Sequence, residues 1–225
     1  MYDREYYGRT HTLEASGGLI NASLIMRDDE TNSYWSIMAK EIIGGELKGT
    51  RMVELPYGEK MQWKDWVKKY PQTQALSVKG REDAPEGYGN YFNGPDGFRG
   101  LKAKDKRLKT KDPIFAFHFE GKPYAIPYKE FENGNAFTIG DAKIFLYRPK
   151  KTEIFESTAA FITRGSGFEK EDDRWIDIDS DCEYDPESKS FKGEPENCPR
   201  RLDGFDTFWY NWSLNNEGIE LLGTE

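Results

Sequence analysis

Ile114-Phe115-Ala116-Phe117-His118-Phe119-Glu120-Gly121-Lys122-Pro123-Tyr124-Ala125-Ile126-Pro127-Tyr128 is the stretch that decides the fold. In its first half, large apolar residues alternate with small or polar ones, which is the period of a strand. Glu120-Gly121-Lys122 interrupts the pattern, and an aromatic and aliphatic run then returns, so a β-hairpin is expected. Lys143-Ile144-Phe145-Leu146-Tyr147 and Ala159-Ala160-Phe161-Ile162-Thr163 read as further strands, and Asn133-Gly134 marks a tight turn. The expected class is α+β, mostly antiparallel β-sheet.

Outside this central segment lie all six tryptophans, in two matching sets. Intervals are 28 then 3 residues from Trp35 to Trp63 and Trp66, and 34 then 3 from Trp175 to Trp209 and Trp212. Asp28-Asp29-Glu30 approaches Trp35, as Glu169-Lys170-Glu171-Asp172-Asp173 approaches Trp175. This pattern reads as an internal pseudo-repeat. Trp63, Trp66, Val67 and Tyr70 fall at helical spacing, and Phe205, Phe208, Trp209 and Trp212 repeat it, predicting two short related helices whose rings fill a core. Pro71 should stop the first helix, and Asp206 or Thr207 is placed to cap the second. The expected organisation is one domain, residues 1–225, built of two related units (about 10–78 and 152–223) joined by a central hairpin segment (about 79–151).

With 225 residues, 36% apolar and 15% aromatic, the chain can build a core that rests on rings, which argues against global disorder. No apolar run is long enough to span a bilayer, so it is not expected to be an integral membrane protein. The start, Met1-Tyr2-Asp3-Arg4-Glu5-Tyr6-Tyr7, lacks the apolar region of a secretory signal. Two histidines and two cysteines supply zinc clusters and histidine triads poorly. The net charge of -8 sits between Glu169 and Glu196, where twelve acidic residues meet four basic ones. A basic stretch from Arg99 to Lys111 reads as a solvated segment and not as a nucleic-acid site, because no recognition helix accompanies it.

Several segments in fixed order carry a family resemblance. They are Glu14-Ala15-Ser16-Gly17-Gly18-Leu19-Ile20-Asn21-Ala22-Ser23-Leu24, Trp35, Gly45-Glu46-Leu47-Lys48-Gly49-Thr50-Arg51, and Trp63 to Trp66. The central hairpin and the closing Gly204-Phe205-Asp206-Thr207-Phe208-Trp209-Tyr210-Asn211-Trp212 complete the set. Together they resemble the bacterial domain-of-unknown-function family numbered 3179, from about Asp3 to Leu222. The resemblance implies an exported protein and brings no established activity. Family members often carry a cysteine-containing strand ahead of the position of Asp3-Arg4, and it is lacking here, so no redox or metal role of that strand transfers.

The strongest local constellation is Asp177-Ile178-Asp179-Ser180-Asp181-Cys182-Glu183-Tyr184-Asp185. Asp177, Asp179, Asp181, Glu183 and Asp185 offer oxygens at alternate positions, a pattern that wraps a hard cation, so calcium is the expected cofactor and no organic one is. The same alternation also describes a strand with its carboxylates in water. Cys182 and Cys198 lie in polar, turn-rich sequence and are expected to pair, which implies an oxidising compartment, extracellular or periplasmic; two free cysteines are the alternative. Tyr88, Tyr91, Phe92 and Phe98 stud a glycine- and proline-rich loop over 84–100 and are candidate ligand contacts. His11 and His118 single out no catalytic base. The leading expectation is a noncatalytic exported structural or binding protein, as a subunit of a larger assembly with a protein partner or itself. The alternative is a carbohydrate-binding or carbohydrate-active protein using the aromatic loop.

Overall fold

The structure is a computed structural model, and it describes residues 2–55, 62–76, 89–150 and 156–223. Short strands dominate, in four four-stranded sheets and one two-stranded ribbon, and almost every pairing is antiparallel. The ribbon is β1 (Glu5–Tyr6) with β2 (Arg9–Thr10). A meander follows: β3 (Leu13–Ile20), β4 (Ser23–Asp28), β5 (Tyr34–Ser36) and β6 (Glu41–Gly44) pair in chain order. Next come α1 (Trp63–Lys69) and the five-residue α2 (Gly89–Asn93).

The decisive stretch folds as expected. β7 (Pro113–Phe119) and β8 (Lys122–Pro127) form a hairpin in the register Phe119↔Lys122 to Ile114↔Pro127. Its two-residue turn places Glu120 at φ +48° and Gly121 at φ +80°, the left-handed pair of a type I′ turn. The hairpin lies at the centre of a sheet, flanked by β17 (Phe205–Phe208) on β7 and by β18 (Glu220–Leu221), parallel to β8. A second sheet combines β9 (Asn135–Ile139), β10 (Ala142–Tyr147), β11 (Ala159–Thr163) and β16 (Arg200–Arg201). The last is a meander of β12 (Phe168–Glu171), β13 (Arg174–Asp177), β14 (Glu183–Asp185) and β15 (Ser190–Lys192). Before β18 comes α3 (Trp209–Asn215).

Strand alternation explains how these elements stack. Phe115 and Phe117 of β7 pack on Ile144, Leu146, Ala160 and Ile162 of β10 and β11. The opposite face of the hairpin, Ile114, Ala116 and Ala125, receives Trp209, Tyr210 and Trp212 of α3. Phe145 and Phe161 point the other way from their neighbours, onto Trp175, Tyr184 and Phe191 of the last meander. The order is therefore helix, sheet, sheet, sheet. Each fully buried Phe or Ile contributes roughly 1.5–3 kcal/mol by leaving water. The first meander keeps its own core around Trp35, Ile42, Met52 and Tyr6.

Two helix expectations need correction. Phe205 to Phe208 is a strand: its backbone pairs with Pro113–Ala116, and this tertiary ladder outweighs the helical spacing of its rings. Asp206 therefore caps nothing; Phe208 stands at the N-cap, with no side-chain cap bond. The first helix forms over seven residues and stops at Tyr70, before Pro71, but it buries no residue, and Trp63 is 55% exposed. In α3 the matching rings, Trp209 and Trp212, are fully buried.

Candidate functional site

The acidic run folds as two consecutive hairpin turns. Asp177 ends β13, and its N–H donates to the carbonyl of Cys182 at 2.9 Å. Three residues on, the Ser180 hydroxyl donates to the Asp177 carboxylate, and Asp181 turns the chain at φ +55°. Asp185, the last residue of β14, repeats this. It pairs with Ser190, and it accepts from the Ser188 hydroxyl at 2.7 Å and the Glu187 N–H at 3.0 Å, while Lys189 stands at φ +51°. An aspartate opening a turn satisfies donors two to three residues later, which accounts for Asp177 and Asp185.

The other acids of the run look elsewhere. Asp179 accepts from the N–H and hydroxyl of Ser166 at 2.5 and 2.6 Å, which hold its carboxyl below the usual range. Glu183 pairs with Arg174 at 3.1 Å. Burial pushes the Asp177 carboxyl up, against the Ser180 bonds and with help from the charges of Asp179 and Asp181. Among the described residues, the run brings no three carboxylates within 4.8 Å of one another. Cys182 and Cys198 form a disulfide, and Gly193 lies against it. A Cβ there would sit 2.6 Å from one sulfur and 3.0 Å from the other, so only glycine fits.

The same turn occurs a third time, buried, in the first meander. Asp28 closes it with N–H to Ser33 carbonyl at 3.1 Å, and Asn32 stands at φ +51°. The Asp28 carboxylate accepts from the Thr31 N–H at 2.6 Å, the Thr31 hydroxyl at 2.7 Å, the Ser33 N–H at 3.2 Å and the Trp35 indole at 2.7 Å. Burial raises its pKa, but the bonds from Trp35 and Thr31 outweigh burial and hold it below the ordinary value. His11 lies beside it, Nδ1 to Oδ1 at 3.4 Å, and Glu30 accepts the Thr12 N–H at 2.8 Å. The sequence signal for this node was an aspartate with a hydroxyl residue three positions on: 28 and 31, 177 and 180, 185 and 188.

The aromatic loop is folded onto α3. Tyr88 lies outside the described residues. Tyr91 shares a 2.9 Å hydroxyl contact with Tyr210, and the Phe98 N–H donates to the same Tyr210 hydroxyl at 3.3 Å. Lys111 places its ammonium 4.2 Å from the Tyr91 ring centre and 5.0 Å from that of Phe208, and donates to the carbonyls of Tyr91 and Phe92. The cation–π seat is thus filled by the chain itself. Phe92 and Phe98 keep 38% and 37% of their surface open. The basic stretch finds its acids nearby: Lys102 pairs with Asp96, Lys104 with Glu217 and Arg107 with Asp105.

A polar cleft that sequence reading did not single out opens beside β17. Its volume is about 140 Å³, and Glu54, Phe115, Thr158, Arg201, Asp203 and Asp206 line it. Asp206 accepts from the Tyr128 hydroxyl at 2.7 Å, the Thr158 N–H at 2.9 Å and the Thr158 hydroxyl at 2.5 Å. The buried Arg148 guanidinium stands 3.5 Å from Asp206 and 4.0 Å above the Tyr128 ring centre. Burial, then the Asp206 charge, pushes the Tyr128 hydroxyl far up. Burial also raises Glu54, despite Lys40 at 2.6 Å. Elsewhere, on the α3 face, the His118 Nε2 meets the Asn216 side-chain oxygen at 2.9 Å, and burial lowers its pKa.

Among the described residues no helix is long and apolar enough to cross a membrane. No curated protein and no solved structure matches the chain. A family model described as a protein of unknown function (DUF3179) matches residues 1–217, nearly the full length. The chain belongs to the DUF3179 family.

Proposed function

We propose that this chain is a noncatalytic binding protein of an oxidising, extracytoplasmic compartment, acting as a rigid β-layered scaffold for a partner or an ion. The observation that carries the reading is the disulfide: Cys182 is fully buried, and Gly193 rests against both sulfurs, so the segment is shaped around a bonded pair. Such bridges persist where the surroundings oxidise thiols. Supporting it, Asp206 at the cleft and Asp185 in its turn are spent on neighbouring donors, an arrangement suited to holding a shape.

Calcium at Asp177 to Asp185 is the ion-binding arm of this reading. Binding there would draw Asp179 from Ser166 and release Asp177 from Ser180. The duplication reading belongs here too. What supports it is that both meanders are four-stranded in chain order and join their second and third strands by the same aspartate turn, Asp28–Ser33 and Asp177–Cys182. The second reading, oligosaccharide binding, draws on the partial exposure of Phe92 and Phe98.

A melting series on non-reduced protein tests both. A rise in millimolar calcium that chelator reverses and Asp179→Asn with Asp181→Asn abolishes supports the ion arm. A rise with an oligosaccharide panel that Phe92→Ala removes favours the second reading. Two reactive thiols in unfolded protein purified without reductant from its own host would overturn the oxidising compartment.

A further inference from the structure

His11, Asp28 and Glu30 each offer a ligand atom, and these three atoms lie within 4.8 Å of one another. The residues come from the β2–β3 junction and the β4–β5 turn, and the fold draws them together. His11 is 1% exposed and Asp28 not at all, while Glu30 is partly exposed.

The contact between the first two has the wrong length for a hydrogen bond. The His11 Nδ1 and Asp28 Oδ1 are 3.4 Å apart, beyond the usual span of roughly 2.7–3.2 Å for N–H···O. Nδ1 is buried and has no hydrogen-bond partner. The same separation does suit a shared metal. Two ligands at about 2.0–2.1 Å from a tetrahedral zinc stand about 3.4 Å apart.

The lone pairs agree. Oδ1 takes the Thr31 N–H, which leaves one lone pair for another partner. The Thr31 hydroxyl does not use it up. That hydroxyl has a single proton and lies within reach of Oδ1, Oδ2 and the Ser33 hydroxyl; Oδ2 already takes the Ser33 N–H and the Trp35 indole, so the Ser33 hydroxyl can receive it. Glu30 lies partly open to solvent, held by the Thr12 N–H and hydroxyl, and its carboxylate is already within 4.8 Å of the other two ligand atoms, so it supplies the third ligand. We propose that His11, Asp28 and Glu30 form a binding site for a divalent transition metal of the zinc class.

The donor set decides the class. One imidazole and two carboxylates, with no free thiolate among the described residues, suit zinc and its neighbours better than copper(I). An imidazole ligand also separates this site from any calcium bound by the acidic run, where every donor is an oxygen.

Isothermal titration of the full chain with zinc, and cobalt absorption as its spectroscopic stand-in, test the proposal. One zinc per chain is expected, with a visible cobalt band of tetrahedral type. Glu30→Gln keeps an oxygen for the Thr12 N–H, so its metal-free melting temperature should match the parent, while zinc affinity falls at least about tenfold, the scale on which even outer partners of a site act. His11→Asn should abolish the cobalt band. Asp179→Asn with Asp181→Asn should change neither. Absence of stoichiometric zinc binding, parental affinity in Glu30→Gln, or loss of binding in the Asp179/Asp181 variant would each overturn the site.

Discussion

Replacing Asp28 by asparagine probes a turn that the chain builds both buried and near the surface. The substitution preserves shape but exchanges one carboxylate oxygen for an NH₂ group. Asp28 accepts from the Thr31 and Ser33 N–H groups and the Trp35 indole, all inside the first meander. An amide leaves at least one of these buried donors without an acceptor, at about 1–3 kcal/mol, and weakens the others by removing the charge. The expected loss is about 3 kcal/mol. For a chain of this size that lowers the melting temperature by about 6–12 °C. Asp185→Asn is the internal control, since Asp185 opens the same turn from a partly exposed position and asparagine suits such turns. Its cost should stay below about 1 kcal/mol. The pH dependence has a definite sign. The folded pKa of Asp28 lies below its unfolded value, so its contribution is fully present above about pH 4 and fades as pH falls further. The gap between parent and Asp28→Asn should narrow in that window. Denaturant titrations from neutral to acidic pH measure it. Equal costs for the two substitutions, or a gap that is constant down to low pH, would refute the reasoning.

Two further outcomes are expected. Cys182→Ser with Cys198→Ser opens a loop with a sequence separation of 16, so it should cost about 3 kcal/mol in the chain-entropy model, and Gly193→Ala should destabilise the oxidised protein more than the reduced one, both read by melting with and without reductant. Trp209→Ala should cost about 3–5 kcal/mol, whereas Trp63→Ala should stay within about 1 kcal/mol, because one ring is fully buried and the other more than half exposed; equal losses would show that α1 is covered in solution.

Period-two patterns carried the central fold in the sequence because both faces of β7, β10 and β11 are covered. Phe115, Phe145 and Ile162 had to be apolar wherever they pointed. Helical spacing was less informative. Trp63 and Trp66 do sit on a helix, but periodicity cannot say whether a neighbour covers the ring face. At Phe205 to Phe208 the rings follow a helical interval while the backbone obeys a ladder with β7, a contact about ninety residues away in sequence. The acidic run was legible as carboxylates and not as turns, because counting charges hides the serine three residues after each opening aspartate. The Asp206 cleft was out of reach altogether. Its partners Thr158 and Tyr128 lie 48 and 78 residues away, and no local spacing announces such a meeting.

The placement of the charge follows from the layering. The last meander ends the stack, so one of its faces is covered and the other meets water. Trp175, Tyr184 and Phe191 take the covered side against Phe145 and Phe161. Its outer strand β12 reads Phe-Glu-Lys-Glu, with the last three residues exposed. Unpaired edges invite further strands, and short, charged edges discourage them. The first meander handles the same hazard differently. Its edge strand β3 is eight residues long and nearly uncharged, yet its register with β4 shifts between Ala15 and Leu19, at Ser16-Gly17-Gly18. A bulge of that kind twists an edge away from pairing. One edge is guarded by charge and the other by geometry. Removing Glu169 and Glu171 should therefore promote association through the last meander in a salt-sensitive way, while Gly17 substitutions should act through the first meander with little dependence on salt.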